Sequence, residues 1–445
     1  MTETVDELIH PRWIVPVEPA DTVLDDHAVA VRDGRIVAIV PEAEAAGRFT
    51  AGRETRLDRH VLMPGLVNLH CHAAMTLLRG LADDTPLMTW LQHHIWPAEA
   101  KHVSAEFVHD GTLLACAEML RGGVTCFNDM YFFPEAAARA VAASGMRAVI
   151  GLTLLEFPTA YAADADDYLD KGLAARDALR DQPLLHFALA PHAPYTVSNR
   201  SFERIATLTG ELDLPVHVHV HETRTEIEES LRMHGMRPLE RLHRLGIVTP
   251  NLIAVHAVHL DAAEIALLAA EGASVAHCPA SNLKLGSGIA PVAKLLAAGV
   301  NVGIGTDGAA SNNRLDMFAE TRLAALLAKG ASGDAAVMGA HRALHAATLG
   351  GARALGLDRE IGSIVVGKSA DLCAVSLDDP LLAPCYAPES HLVYVAGREN
   401  VSHVWVSGRL MLENHTLRGF LKNELENIAS LWQTRIRPSQ PRPTP

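Results

Sequence analysis

The segment VLMPGLVNLH, residues 61–70, is the first of eight short apolar runs that decide the fold of this chain. The other seven runs are residues 123–130, 147–154, 184–192, 216–222, 252–259, 273–281 and 301–308. β-Branched and other apolar residues dominate the centre of each run, which is typical of strands buried on both faces of a sheet. Segments with apolar residues at helical spacing separate the runs. Eight strand–helix repeats predict an α/β protein with a closed parallel (β/α)8 barrel of the TIM type, and an open parallel sheet is the alternative.

The two ends of the chain have a different pattern from the central repeats. Residues 22–40 alternate apolar and polar side chains around Asp33-Gly34, which is a strong hairpin signal. Residues 362–377 and 401–412 show the same combination of short strands and turns. We expect both flanks to form one small β-sandwich domain, with the barrel inserted between them. The predicted domains are a composite sandwich of residues 1–63 and 363–445 and a (β/α)8 barrel of residues 64–362.

The composition excludes several classes of partner. A net charge of −14 argues against nucleic acid or an anionic membrane, since both attract clustered Lys and Arg. No run approaches the roughly 18–20 apolar residues of a membrane span. The N-terminus, MTETVDELIHPRW, carries acids where a signal peptide has a basic region and an apolar core, which predicts a cytoplasmic protein. The six cysteines form no Cys-x-x-Cys pair, so a Cys-rich zinc site is excluded by spacing.

Histidine and carboxylate side chains cluster at the ends of the predicted strands. In a barrel of this type the catalytic groups lie where the strands end and the βα loops begin. Five of the eight runs end in such residues, namely His70-Cys71-His72, His192, HVHVHE at 217–222, HAVH at 256–259 and Thr306-Asp307-Gly308. A single strand-end histidine is more often structural than a metal ligand, but chance does not place the same residue class at five strand ends. Their joint occurrence predicts a metal site.

The spacing indicates which of these residues could be ligands. Alternate residues on a strand point the same way, so His70 and His72 can both face the barrel axis. His219 would supply a third nitrogen from the opposite side, and Asp307 a carboxylate oxygen. Three imidazoles, one carboxylate and a water suit Zn²⁺ in a catalytic site, and Fe²⁺ would fit the same ligands.

These motifs together resemble the amidohydrolase superfamily. The segments that carry the resemblance are PGLVNLHCH (64–72), His219-x-x-Glu222, His256-x-x-His259, HCPASN (277–282) and GTDG (305–308). Within the superfamily the chain most resembles the 5-methylthioadenosine/S-adenosylhomocysteine deaminases, which are related to the triazine chlorohydrolases, from about residue 8 to 425. The resemblance implies that His70, His72, His219 and Asp307 bind one metal ion per subunit, and that the protein is a homo-oligomer acting on a small molecule.

One absence favours a mononuclear site. Binuclear members of the superfamily carry a carboxylated Lys at the end of strand four, where it bridges two metals. Here that run ends in Ala190-Pro191-His192, and no Lys lies near it.

The resemblance also implies a reaction, the hydrolytic deamination of an adenine nucleoside thioether to the inosine analogue and ammonia. A zinc ion would lower the pKa of its bound water towards ~7. Asp307 would take a proton from this water, His256 would orient it and stabilise the developing oxyanion, and Glu222 would protonate N1 of the purine. Glu222 could instead be an acid that interacts with a helix N-terminus.

Two further residues match substrate contacts of the resembled family. Glu99, in Trp96-Pro97-Ala98-Glu99, corresponds to the position that binds the ribose hydroxyls, although the sequence alone favours a surface helix acid. His192 corresponds to a substrate-contacting position, and its alternative is a packed strand-end histidine. No residue matches the Arg that some relatives direct at the amino-acid tail of S-adenosylhomocysteine. This departure favours methylthioadenosine or adenosine.

Other functions remain open at the level of sequence. A guanine or other aminated-heterocycle deaminase, or a triazine-type chlorohydrolase, would use the same metal site. A non-enzymatic assembly protein is disfavoured because all four ligand positions are retained. The zinc deaminases of the other fold are excluded, since the chain has neither their His-x-Glu nor their Pro-Cys-x-x-Cys motif.

Overall fold

The N-terminal flank forms five strands and one helix before the barrel begins. In the computed structural model, which describes residues 2–437, these elements are β1 (Glu3–Ile14), β2 (Leu24–Asp25), β3 (His27–Arg32), β4 (Arg35–Pro41), α1 (Glu42–Arg48) and β5 (Phe49–Pro64). The predicted hairpin is present, because β3 and β4 pair antiparallel across Asp33 and Gly34. Both turn residues have positive φ, 50° and 74°, which a type I′ turn requires. Residues 438–445 of the predicted sandwich lie outside the described residues.

Eight parallel strands form the barrel. They are β6 (Leu66–Cys71), β7 (Val124–Tyr131), β8 (Arg147–Leu154), β9 (Leu185–Pro191), β10 (Val216–Val220), β11 (Leu252–His256), β12 (Ser274–His277) and β13 (Asn301–Ile304). Each pairs in parallel with the next along the chain. At the remaining seam the Asp307 N–H, just after β13, donates to the His70 carbonyl of β6 at 3.0 Å. A Cβ on Gly305 would lie 2.7 Å from the His70 nitrogen, so glycine permits this close approach. The predicted (β/α)8 barrel is confirmed.

The first apolar run differs from the prediction in one respect. The sequence presents residues 61–70 as a single strand, but the structure divides them at Gly65, where β5 of the flanking sheet gives way to β6 of the barrel. A Cβ at Gly65 would lie 2.2 Å from the Thr125 side chain at the start of β7. The chain can therefore pass from the flanking sheet to the barrel at this point because residue 65 is a glycine, which has no side chain to clash with Thr125.

Helices connect and follow the barrel strands. They are α2 (Leu87–Trp90), α3 (Trp96–His102), α4 (Ala105–Arg121), α5 (Pro134–Ser144), α6 (Ala165–Leu179), α7 (Asn199–Leu212), α8 (Arg224–His234), α9 (Pro238–Arg244), α10 (Ala262–Ala270), α11 (Pro279–Lys284), α12 (Val292–Ala297), α13 (Met317–Ser332), α14 (Ala340–Ala347), α15 (Leu349–Ala354), α16 (Pro388–Tyr394) and α17 (Lys422–Ile436). Short 3-10 helices span Ala73–Leu78, Pro380–Leu382 and Arg398–Asn400, and a π-helical turn spans Leu91–Ile95.

Side-chain caps explain where several helices begin. Ser104, Asp164 and Thr223 each accept a hydrogen bond from the N–H three residues later, at the starts of α4, α6 and α8.

Across residues 2–437, no helix is both long enough and apolar enough to cross a bilayer.

The C-terminal flank completes a nine-stranded mixed sheet. Its strands β14 (Leu372–Ser376), β15 (Val401–Val406), β16 (Arg409–Glu413) and β17 (Thr416–Leu417) follow the barrel. The strand order is β17-β16-β15-β14-β5-β1-β3-β4, with β2 beside β1. The sheet curls so that Ile36 of β4 and Trp405 of β15 share one buried core, which is the predicted sandwich-like packing of both flanks.

A buried ion pair joins this sheet to the barrel. Arg147, the first residue of β8, donates from Nε and one terminal nitrogen to the two carboxylate oxygens of Asp371, each at 3.1 Å. The amide of Gly65 also donates to the Asp371 carbonyl at 2.9 Å. Since Arg147 begins its strand, the sheet lies at the amino end of the barrel. The carboxyl ends of the strands remain free to form a site.

Candidate active site

A cavity of about 320 Å³ opens at the carboxyl ends of the barrel strands. Seven of the eight residues that the sequence nominated line it, and these are His72, Glu99, His192, His219, Glu222, His256 and Asp307. The eighth, His70, is fully buried beneath them. The structure therefore brings all the nominated side chains to one place.

Three histidines and Asp307 converge at the floor of this cavity. Nε2 of His70 lies 3.2 Å from Nε2 of His219. Oδ1 of Asp307 lies 3.3 Å from Nε2 of His70 and 3.3 Å from Nε2 of His72. The donor atoms of His70, His72 and His219 lie within 4.8 Å of one another, so a single ion could touch these three imidazoles with Oδ1 of Asp307 beside two of them.

Backbone carbonyls fix the orientation of two of the imidazoles. Nδ1 of His72 donates to the Met130 carbonyl at 2.6 Å, and Nδ1 of His219 donates to the His192 carbonyl at 2.7 Å. Because a carbonyl can only accept, Nδ1 of each ring carries the proton and Nε2 presents a lone pair to the cavity floor in the neutral form. Burial lowers the pKa of His219 well below its usual value, so this ring is neutral.

The third imidazole is held by another histidine. Nδ1 of His70 lies 2.8 Å from Nε2 of His217, which is itself buried. Burial lowers the pKa of His70 to about 4, despite the opposing effect of Asp307. His217 is therefore positioned to hold the ring of His70 in one tautomer and orientation.

The chemistry of this donor set fits a shared cation. In the neutral form of His72, the Nε2 lone pair faces Oδ1 of Asp307 at 3.3 Å with no hydrogen between them. Burial would raise the pKa of Asp307, but its interactions with His70 and His72 hold that pKa well below its usual value. Buried acceptors repel one another unless a positive charge lies between them. Three imidazole nitrogens and one carboxylate oxygen are the ligands that a catalytic zinc ion takes.

Asp307 is held by its neighbours as well as by charge. Its Oδ2 accepts from the Ser281 hydroxyl at 2.5 Å and the Ser311 hydroxyl at 2.8 Å, and Oδ1 accepts from the Gly308 N–H at 2.6 Å. The φ of Asp307 is 60°, an uncommon conformation for a residue other than glycine. Ser281 lies within the motif HCPASN, yet sequence reasoning assigned it no role.

Glu222 and His256 face each other beside this floor. Oε2 of Glu222 lies 3.8 Å from Nε2 of His256. Burial raises the pKa of Glu222 to about 7, so a substantial fraction carries a proton at neutral pH. On its other side, Nδ1 of His256 donates to Oδ1 of Asn282 at 2.8 Å. Asn282 is a further partner that the sequence did not single out.

Glu222 is not the cap of the helix that follows it. The Thr223 side chain caps α8, and the Glu226 carboxylate accepts from the N–H groups of His221 and Glu222 at 3.0 and 2.9 Å. The Glu226 carboxylate thus binds the backbone of Glu222, while the Glu222 side chain lines the cavity. This geometry favours a chemical role for Glu222 over the helix-dipole alternative.

Glu99 and His192 lie higher in the same cavity. The Tyr131 hydroxyl donates to Oε1 of Glu99 at 2.6 Å, and burial raises the pKa of Glu99 to about 7. Nδ1 of His192 lies 2.9 Å from the Thr196 hydroxyl, and burial lowers the pKa of His192 to about 3. His192 therefore offers a neutral ring to a ligand.

The wall above these residues is apolar. It is built mainly from aromatic and aliphatic side chains of α2, the π-helical turn, α3 and the loops after β7 and β8, which include Leu87, Trp90, Leu91, Trp96, Phe132, Leu155 and Phe157. Trp96 and Phe157 meet across it with ring centroids 6.1 Å apart. Among the described residues that line the cavity, none is Lys or Arg.

The sequence of this chain is similar to those of known proteins. The amidohydrolase family matches residues 61–411. A 5-methylthioadenosine/S-adenosylhomocysteine deaminase of Teredinibacter turnerae is 48% identical over 435 residues, covering 98% of each chain. A protein of the same name from Saccharophagus degradans is 45% identical over 97% of each chain.

Solved structures agree with this placement. An adenosine deaminase of Xanthomonas campestris with bound zinc is 51% identical and superposes with a TM-score of 0.97, over 98% of this chain and 100% of that one. An atrazine chlorohydrolase of Arthrobacter aurescens complexed with zinc is 24% identical, with a TM-score of 0.85 over 97% of this chain and 100% of that one. The second likeness is one of fold.

Proposed function

This chain belongs to the amidohydrolase family, and from that premise we propose that it is a zinc-dependent deaminase of adenine nucleoside thioethers. The substrates are 5′-methylthioadenosine, S-adenosylhomocysteine or adenosine, and the products are the inosine analogue and ammonia. The observation that carries the proposal is the meeting of Glu222, His256 and Asp307 beside a three-histidine donor set, at the floor of a cavity with an apolar wall.

His70, His72, His219 and Asp307 would hold one zinc ion per subunit. The convergence of their donor atoms and the zinc bound in the 51% identical deaminase support this assignment. Iron would fit the same donors. When bound, the ion lowers the pKa of a water molecule towards ~7 and so supplies a nucleophile at neutral pH.

The protein side chains then move the protons. Asp307 is ionised and accepts a proton from the attacking water, while the Ser281 and Ser311 hydroxyls keep its carboxylate in a fixed orientation. Glu222, protonated in part at neutral pH, donates to N1 of the ring, which makes C6 more electrophilic. The resulting Glu222 carboxylate can then take the proton of the C6 hydroxyl and pass it to the amino group, which leaves as ammonia while the carbonyl forms, and Asp307 returns its proton to Glu222.

His256 is placed to stabilise the oxygen that develops charge at C6. Since Asn282 accepts from its Nδ1, the inward Nε2 bears a proton only when the ring is an imidazolium. The carboxylates of Glu222 and Asp307 lie on that side of the ring. The role therefore requires the protonated form of His256.

The upper cavity would hold the nucleoside beyond its ring. Glu99 would accept hydrogen bonds from the ribose hydroxyls, and His192 would contact the substrate from strand four. The apolar wall suits an uncharged 5′-substituent such as a methylthio group. The lack of a cationic side chain in the described lining favours methylthioadenosine and adenosine over S-adenosylhomocysteine.

The cysteines and the net charge bear on where the protein acts and on what it binds. All six cysteines are unpaired, which suits the reducing environment of the cytoplasm. The net charge of −14 suits a small-molecule substrate rather than a polyanionic partner. We also propose a homo-oligomer, on the family resemblance alone.

A substrate panel tests the proposal directly. Zinc-loaded protein is given methylthioadenosine, S-adenosylhomocysteine, adenosine, guanine and a chlorotriazine, and release of ammonia or chloride is followed. Turnover of an adenosine compound with the highest kcat/KM supports the assignment. Turnover of guanine or the triazine with none of the adenosine compounds would overturn it.

A further inference from the structure

We propose that Tyr131 is a positioning residue that fixes the Glu99 carboxylate for the 2′- and 3′-hydroxyls of a ribonucleoside. The site would in this way select ribosides over their dideoxy counterparts. The inference rests on the proposed function, since it concerns the same cavity and the same substrates.

The hydrogen bond between the two side chains is short and sheltered. The Tyr131 hydroxyl donates to Oε1 of Glu99 at 2.6 Å, and both residues line the cavity. Tyr131 is the last residue of β7 and is only 5% exposed, so a strand of the barrel holds its ring in place. A hydroxyl on a rigid strand can therefore anchor a carboxylate that sits on the short helix α3.

Glu99 has little else to orient it. In the described part of the chain, its side chain takes a hydrogen bond from Tyr131 and from no other residue. The glutamate side chain has several rotatable bonds, so an unanchored carboxylate would lose more conformational freedom on binding a ligand. With Oε1 engaged by Tyr131, the carboxylate plane is set, and its remaining lone pairs can receive two neighbouring hydroxyls.

Tyr131 also connects the two parts of the site. The residue before it, Met130, presents the carbonyl that accepts from Nδ1 of His72. The end of one strand thus supports both a metal-binding imidazole and the carboxylate nominated for the ribose. A vicinal diol held by Glu99 would be placed at a fixed offset from the reacting ring.

The experiment compares two variants on two substrates. Tyr131→Phe removes the hydroxyl, and Tyr161→Phe is the matched control, because the Tyr161 hydroxyl is buried without a partner among the described residues and does not line the cavity. The substrates are adenosine and 2′,3′-dideoxyadenosine, which differ only in the groups that Glu99 would bind.

The expected result is a selective loss. Tyr131→Phe should raise KM for adenosine about tenfold, the effect of losing one hydrogen bond in a protein, with kcat changed less than about threefold. KM for the dideoxy compound should not change, and Tyr161→Phe should resemble the parent protein. In a Glu99→Gln background the Tyr131→Phe change should have little further effect, because Tyr131 acts through Glu99.

Two results would overturn the inference. One is an equal change of KM for both substrates, which would make Tyr131 a merely structural residue. The other is no change for either substrate. If the parent protein deaminates none of the adenosine compounds, methylthioadenosine and S-adenosylhomocysteine included, the proposed function itself fails, and that failure is visible before any variant is made.

Discussion

Nε2 of His72 lies 3.3 Å from Oδ1 of Asp307, while Nδ1 of the same ring donates to the Met130 carbonyl. The carbonyl keeps the proton on the outer nitrogen, so two acceptors face each other in the floor of the cavity when the ring is neutral. His219 is oriented in the same way by the His192 carbonyl. The pattern is that of a site formed around a positive ion, and it has a direct consequence for stability.

Removal of the metal should destabilise the protein as well as inactivate it. A ligand at a thousand times its Kd stabilises the folded state by about 4 kcal/mol, so chelation should lower Tm by several degrees and abolish turnover. Zinc should restore both. Elemental analysis should find one equivalent per chain. Two equivalents would contradict the mononuclear site, and a metal-free protein with full activity would contradict the metal assignment.

Asp307→Asn should remove the proton acceptor while keeping the shape of the side chain. We expect kcat to fall by at least about 10³-fold, in the range that loss of an essential proton-transfer group produces. Ser311→Ala is the matched control, since it removes one hydrogen bond to Oδ2 and leaves the carboxylate. Metal content is measured for both variants. Near-normal turnover by metal-loaded Asp307→Asn would refute the role.

Much of this site could be predicted because the rule that places it is local. Parallel strands are recognised from short apolar runs, and the residue that ends each run faces the rim, so His70, His219 and Asp307 follow from position alone. The partners of these residues are a different matter. The carbonyls of Met130 and His192 orient two of the imidazoles, and because any residue supplies a carbonyl, no side-chain pattern predicts this role.

Other features escaped prediction for reasons of packing. Tyr131 begins the aromatic stretch Tyr131-Phe132-Phe133, which resembles an ordinary hydrophobic core segment. Its hydroxyl acquires a hydrogen-bond partner only because α3 packs close by and presents Glu99. The break at Gly65 is hidden in a continuous apolar run. It depends on contact with Thr125, which lies sixty residues further along the chain.

Glu222→Gln should remove the group that donates a proton to N1 and leave the other residues of the site in place. Burial raises the pKa of Glu222 to about 7, so the protonated form that donates to N1 is present below that pH and is lost as pH rises through it. We expect kcat/KM of the parent protein to decline above about pH 7 for this reason. The variant should lose about 10²–10⁴-fold in kcat and should lack that alkaline decline.

A neighbouring acid controls for the change of charge. Glu228 lies exposed on α8, the helix that follows Glu222, so Glu228→Gln should keep both the rate and the pH profile of the parent protein. An unchanged alkaline limb in Glu222→Gln would show that another group titrates there, and the proton-donor role would be lost.

The 5′-substituent should be selected by the apolar wall of the cavity. The tail of S-adenosylhomocysteine carries an ammonium and a carboxylate, which must leave water without a Lys or Arg among the described lining residues to receive the carboxylate. An unpaired buried polar group costs about 1–3 kcal/mol in proteins, so kcat/KM for methylthioadenosine should exceed that for S-adenosylhomocysteine by about 10²-fold.

Phe157→Arg should reduce the preference for methylthioadenosine over S-adenosylhomocysteine. Phe157 is 38% exposed beside Trp96 at the wall, so a guanidinium there could reach a ligand carboxylate without itself being buried. We expect kcat/KM for S-adenosylhomocysteine to rise about tenfold, the usual worth of one charge-assisted hydrogen bond. Phe157→Leu removes the aromatic ring without adding charge and should give no such gain. Equal kcat/KM for both nucleosides in the parent protein would show that the tail lies in solvent, outside the apolar wall.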